Sequence, residues 1–133
     1  MAAPRVFTFR KEERICSKKQ IDQLFGGSSS HSVVVFPIRA VFMETPREEG
    51  EPPVKMMVSV SKRHFKRAVK RNRIKRQLRE AFRRNKTILM EKMNPRPDKG
   101  LVVAFLWIGN KLLESAQVER KMCDVLNRIK ERI

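Results

Sequence analysis

The 133-residue chain has no tyrosine, one tryptophan, two histidines, two cysteines and five glycines. Acid is scarce as well: 14 aspartates and glutamates face 31 lysines and arginines, for a net charge of +17. Each shortage closes off a kind of chemistry. Cys16 and Cys123 stand far apart, with no histidine or second cysteine at ligand spacing. A zinc site, which takes about four well-spaced ligands, is therefore excluded, and both thiols are expected to be reduced and buried. A protein nuclease needs clustered carboxylates for metal ions or a histidine pair for acid–base work. His31 lies in a serine-rich loop and His64 in a basic turn, and neither has an acid close by. No activated nucleophile, glycine-rich phosphate loop or dinucleotide motif is present, so no catalytic residue is expected on this chain. No apolar run approaches the ~18 residues of a spanning helix. The N-terminal stretch MAAPRVFTFRKEER has no apolar signal-peptide core, which points to a cytoplasmic protein with no membrane contact.

What is abundant is positive charge, and it is concentrated. Between Lys62 and Arg84 twelve lysines and arginines meet one acid, Glu80, placing +11 of the net +17 within 23 residues. Such a density repels itself unless something anionic lies beside it. It is no formless tail, because Ile74, Leu78, Ala81 and Phe82 are threaded through it. At ~100° per residue these four share one face of a helix, while Asn72, Arg76, Arg79 and Arg83 share the opposite one, flanked by Arg73 and Lys75. Ordinary solvated helices mix charge signs for (i, i+4) pairing; this one does not. Guanidinium forks match phosphate oxygens, so the pattern predicts a shaped nucleic-acid surface. If roughly six phosphates are neutralised, log affinity falls with log salt at a slope of about −4 to −5. A strand, not a second helix and tight turn, precedes the basic helix, which argues for folded RNA over a helix-turn-helix on duplex DNA.

The length argues for one domain, residues 1–133, with residues 1–16 a candidate for a segment that is flexible without RNA. Ser17 and Gln20 have capping-box spacing and open a short helix through Ile21, Leu24 and Phe25, stopped by Gly26-Gly27. Val33 to Met43 reads as one edge or bulged strand because Pro37 interrupts it. Residues 44–53, acidic and rich in proline, read as the solvated loop of a long hairpin whose second strand alternates from Lys55 to Ser61. Ala68 and Val69 lie off the apolar stripe, and a redirecting turn is expected near them. Leu101 to Ile108 suits an internal strand, and Val118, Met122, Val125, Leu126, Ile129 and Ile133 mark a final helix. The order helix, strand, strand, helix, strand, helix makes an α+β two-layer sandwich on a small mixed sheet of three or four strands. Of the phenylalanines, Phe25 and Phe36 are the best candidates for stacking on a base.

The run Val58-Ser-Val-Ser-Lys-Arg63, then Ala68-Val-Lys-Arg-Asn-Arg-Ile-Lys-Arg76 and Arg79-Glu-Ala-Phe82, resembles the signature of the bacterial ribonuclease P protein component. The resemblance implies a small basic subunit of the ribonucleoprotein that removes the 5′ leader of precursor tRNA. It implies that a large RNA performs the hydrolysis with Mg²⁺, bound mainly by that RNA, and that no further protein partner is required. It also implies a left-handed βαβ crossover. By motif match Arg71, Asn72, Arg73, Lys75, Arg76 and Arg79, continued by Arg83, would face the ribonuclease P RNA. Lys62, Arg63 and Lys66, with Phe25 and Phe36, would form the cleft for the single-stranded leader of precursor tRNA. Ile21 and Arg39 stand where the family carries aromatic residues, and Phe105-Leu106-Trp107 where it often carries a base, so leader binding should lean more on charge. A structural RNA-binding protein, such as a small ribosomal protein, is the alternative of a different class; a protein-only nuclease ranks third.

Overall fold

A computed structural model describes residues 18–27 and 30–133. The anchors Val6, Phe7, Phe9 and Ile15, together with Cys16 and the cap expected from Ser17, lie outside the described residues. Eight elements follow in order: α1 (Lys18–Gly26), β1 (His31–Val35), β2 (Ile38–Pro46), β3 (Val54–Val60), α2 (Ala68–Asn85), α3 (Thr87–Met93), β4 (Lys99–Trp107) and α4 (Ser115–Arg132).

The four strands form one mixed sheet in the order β1-β2-β4-β3. β4 runs antiparallel to β2 and parallel to β3. Alternation along the strands sorts side chains to two faces. Ala40, Phe42, Val103 and Phe105 point to the side packed by α2, α3 and α4, with Ile74, Leu78, Phe82, Leu89, Met122 and Ile129 in the same cluster. Val41, Met43, Val102 and Ala104 point the other way and are met by Leu24 of α1. β4 is thus buried on both faces, which is why its sequence is a near-continuous apolar run. The two-layer α+β arrangement and the internal strand are as the sequence reading has them.

Three local expectations are corrected. Val33 to Met43 is not one strand: Phe36 and Pro37 form a tight turn, with a cis bond between them, joining β1 to β2. β1 is the edge and β2 is internal, paired on both sides. Residues 44–53 are not a hairpin loop either, because β4 lies between β2 and β3. A short connection spans that gap, since next-nearest strands lie only about 10 Å apart. Nor is this stretch merely solvated: Glu51 pairs with Lys55 at 2.9 Å, and Glu44 with Arg96 at 3.4 Å and Lys99 at 3.8 Å. Finally, α2 begins at Ala68 without redirecting its first side chains, and Val69 remains 80% exposed. The short helix α3, unforeseen, buries Leu89 and Met93 at (i, i+4) spacing.

Cys123 sits half-buried on α4 and not in the core; burial first, then the nearby Glu119 and Asp124, push its thiol up and keep it protonated.

The apolar stripe of α2 is the joint between helix layer and sheet. Leu78, fully buried, should lose about 2–5 kcal/mol on truncation in Leu78→Ala. Val69→Ala, at an exposed position of the same helix, should leave stability within ~0.5 kcal/mol. Urea denaturation of the two variants checks both values.

Candidate nucleic-acid interface

The rotation of α2 is set by what it buries: Ile74, Gln77, Leu78, Ala81 and Phe82. Gln77 was not foreseen as a buried residue, although it falls three positions after Ile74 and so on the stripe. Its amide Nε2 donates to the Leu113 carbonyl at 2.9 Å and to Ser115 Oγ at 3.2 Å, fastening the start of α4 to α2. With that face committed, Asn72, Arg73 and Arg76 are exposed on the outside, Lys75 lies half-buried at the flank, and Arg79 and Arg83 are partly exposed.

The cations are not equivalent. None of Lys66, Arg67, Lys70, Arg73 and Arg76 makes an ion pair with another described residue. The far end of the helix is different. Arg83 Nε donates to Glu80 Oε2 at 3.0 Å, and Arg84 lies 3.6 Å from Glu119 of α4. The hydrogen bond from Arg83 is the largest influence holding the Glu80 carboxyl below its ordinary range, and the same contact raises Arg83. Arg83 is therefore already engaged within the protein, and the open cationic face lies between Lys66 and Arg76.

Arg71 is placed differently from its neighbours. Its guanidinium turns back and donates to the Phe65 carbonyl at 2.8 Å and the Lys66 carbonyl at 2.7 Å. It shapes the loop between β3 and α2, where the Arg63 N–H donates to Ser61 Oγ at 3.1 Å and Phe65 is buried as a plug. That fold leaves Lys62, Arg63 and Lys66 exposed directly after β3. Five bases, Lys66, Arg67, Lys70, Arg71 and Arg73, thus gather around a helix N-terminus with no acid in its first turn. The macrodipole disfavours cations there, so an anion arriving at this end relieves helix dipole and side-chain repulsion together.

The two aromatic candidates separate. Phe25, 49% exposed, ends α1 on one face of the sheet. Phe36, 64% exposed, borders a groove with Lys121 of α4, on the opposite layer. They do not share a cleft. Phe42, Phe65 and Phe82 are buried and serve as core. Arg39, paired with Leu106 across the strands, shares a sheet face with Val41 and so with α1, supplying charge on that side.

No group of three or more His, Cys, Asp or Glu able to hold a metal ion occurs among the described residues. None of their helices is long and apolar enough to cross a membrane.

The molecule defined so far is a small, strongly basic α+β sandwich with an outward cationic helix set between parallel strands. The sequence profile described as Ribonuclease P matches residues 9–130. A relative from Porphyromonas gingivalis, the ribonuclease P protein component, is 37% identical over 129 residues, covering 97% of this chain and 91% of its own. One of the same name from Idiomarina loihiensis is 50% identical over 62 residues, 41% of this chain and 48% of its own. Among solved structures, the ribonuclease P protein of Thermotoga maritima superposes with a TM-score of 0.64 at 21% identity, covering 87% of this chain and 96% of its own. That of Staphylococcus aureus gives 0.60 at 22%, covering 89% and 95%. The chain belongs to the ribonuclease P protein family.

The pairing of Glu80 generates a test. Because its folded-state pKa is depressed, its contribution to stability is present above the unfolded pKa and is lost as pH falls through the folded one. Arg83→Ala should move the Glu80 titration upward, read by carboxyl NMR. Glu80→Gln should remove this ion pair and the one negative charge on the exposed side of α2, and tighten binding to a structured RNA by up to about fivefold, in line with a partly exposed pair.

Proposed function

We propose that the chain is the protein subunit of ribonuclease P, binding the catalytic RNA and the 5′ leader of precursor tRNA so that the leader is removed to give the mature 5′ end. The observation that carries this reading is the set of exposed cations Lys70, Arg73 and Arg76 on α2, without an ion pair to a described residue and held outward by a buried stripe, in a chain of this family. Asn72, Arg73, Lys75 and Arg76, with Arg79, are assigned to phosphates and sugar edges of the RNA. Lys62, Arg63 and Lys66, with Phe25 on the α1 face, are assigned to the single-stranded leader. Arg71 acts by holding the loop that presents them, and Arg83 contributes less because Glu80 engages it.

Phosphate contacts of this kind position an RNA without reading its sequence. Their effect is electrostatic: neutralising closely spaced phosphates lets two RNA molecules approach and lowers the divalent ion the pair requires. Mg²⁺ belongs to this reading as an ion held mainly by RNA. The described carboxylates and histidines do not gather into a cage for it, so no catalytic step is assigned to a protein-bound metal.

The test is reconstitution: the full-length chain, ribonuclease P RNA and labelled precursor tRNA at low Mg²⁺. Leader removal that needs both components is expected. Tight RNA binding without any stimulation would instead favour a purely structural RNA-binding protein. Arg73→Ala with Arg76→Ala should leave the unfolding midpoint unchanged and lower the salt slope of RNA binding by about 1.5–2. An unaltered slope would remove these two side chains from the interface.

A further inference from the structure

The cationic helix and the α1 face leave Phe36 unexplained. Its ring is 64% exposed while the next residue, Pro37, is buried. The mount is rigid. The Ile108 N–H donates to the Pro37 carbonyl at 2.9 Å, clamping the β1–β2 turn to the end of β4. Gly109 lies so close that an added Cβ would stand 2.8 Å from Pro37 Cβ and 3.6 Å from Phe36 Cζ. Only a residue without a side chain permits this approach.

Beside the ring opens a groove of about 460 Å³ bordered by Phe36, Pro37, Gly109, Lys111, Leu113 and Lys121. A second groove, about 410 Å³, shares Leu113 and Lys121 and continues along α4 past Arg120 to Asp124. The first has an apolar floor, two lysines and no acid in its lining, and neither lysine makes an ion pair with a described residue. Behind Gly109 the Trp107 indole nitrogen is buried without a hydrogen-bond partner, 3.5 Å from the position a Cβ would take.

A single exposed phenylalanine is common on protein surfaces. An exposed ring on a clamped turn, an apolar trough and two cations without an ion pair together match a nucleotide: the base stacks on the ring and the phosphate meets an ammonium group. Because the turn that carries the ring is already clamped, little backbone ordering entropy is lost when a base arrives. We propose that this groove seats an unpaired nucleotide of an RNA partner, as a contact distinct from both α2 and the α1 face. This assignment rests on the RNA-binding reading above and adds a third point of attachment to it.

Trp107 is the only tryptophan of the chain and lies directly behind Gly109, so its fluorescence reports on occupancy. The full-length chain is titrated with a single-stranded oligoadenylate about six nucleotides long. A saturable change in emission is expected. Phe36→Ala should weaken binding by about tenfold or more; Phe36→Tyr, which keeps a stacking face, should restore it, whereas Phe36→Leu, which keeps apolar bulk without one, should not, a split that a merely structural role would not give. Lys111→Ala with Lys121→Ala should reduce the salt slope by about 1–2. Val69→Ala, on the exposed start of α2, should leave the signal unchanged. Affinity within twofold of wild type in Phe36→Ala would overturn the proposal. So would self-association of the chain that Phe36→Ala abolishes while oligonucleotide binding persists, since the groove would then belong to a second copy. If Arg73→Ala with Arg76→Ala loses RNA binding while every Phe36 variant is silent, the groove proposal falls and the broader reading stands. If the wild-type chain binds neither oligonucleotide nor ribonuclease P RNA, both fall.

Discussion

Burial of one stripe on one helix sets what the rest of the surface can do. Ile74, Leu78 and Phe82 each gain about 1.5–3 kcal/mol on leaving water, and all three are fully buried between the sheet and α4. Repulsion between neighbouring exposed cations costs only a few tenths of a kcal/mol per pair. Burial therefore decides how α2 is rotated, and the arginines follow wherever that rotation carries them. What remains, at Lys70, Arg73 and Arg76, is a group of like charges that no described acid pairs with. That unrelieved field is the physical basis for attracting a polyanion.

Two of the acids are placed where they sharpen this asymmetry. Glu44 and Glu51 pair with Arg96, Lys99 and Lys55 near the end of the sheet where Thr45 meets Gly100. The loop bearing Lys62, Arg63 and Lys66 leaves the opposite end, where Val60, Trp107 and Ile38 lie side by side. Neutralisation at one end and bare charge at the other give the molecule a direction as well as a net charge. The edge strand is treated similarly. Arg128 donates to the Val34 carbonyl at 3.0 Å and Arg132 to the Ser32 carbonyl at 2.8 Å, so two carbonyls of β1 are occupied by α4 and the edge is less open to pairing.

Much of this was readable in the residues themselves, because periodicity and charge sign are local properties. The stripe at 74, 78, 81 and 82, the doubly buried β4 and the spacing of α4 all announce themselves within a window of a few turns. Topology does not. Nothing between Met43 and Val54 signals that β4, about fifty residues later, will insert between β2 and β3. Pro37 read as a break in a strand and turned out to be its corner; either use suits a residue that cannot donate to a ladder. The short α3 has too few residues for its period to stand out. At the interface, the set of cations was legible but their engagement was not. Arg84 meets an acid 35 positions away, a contact that exists only once α2 and α4 are packed, and Arg71 bends to carbonyls of its own loop, which depends on how that loop turns.

The separation of Phe25 from Phe36 changes how recognition would be divided. Two aromatics in one cleft would grip one strand at adjacent bases. On opposite layers they cannot, and each is left with its own charged surroundings: Arg39 on the α1 face, and Lys111 and Lys121 beside Phe36. Long-range attraction from α2 brings a polyanion close from any direction but does little to choose its orientation. Short-range stacking does the reverse, since a base must be unpaired and correctly placed to lie on a ring. On the proposed reading, a fold that spreads these two effects over three surfaces would favour an extended, irregular RNA that can reach more than one of them. A regular duplex, with its bases inside, would engage the charge and leave both rings idle.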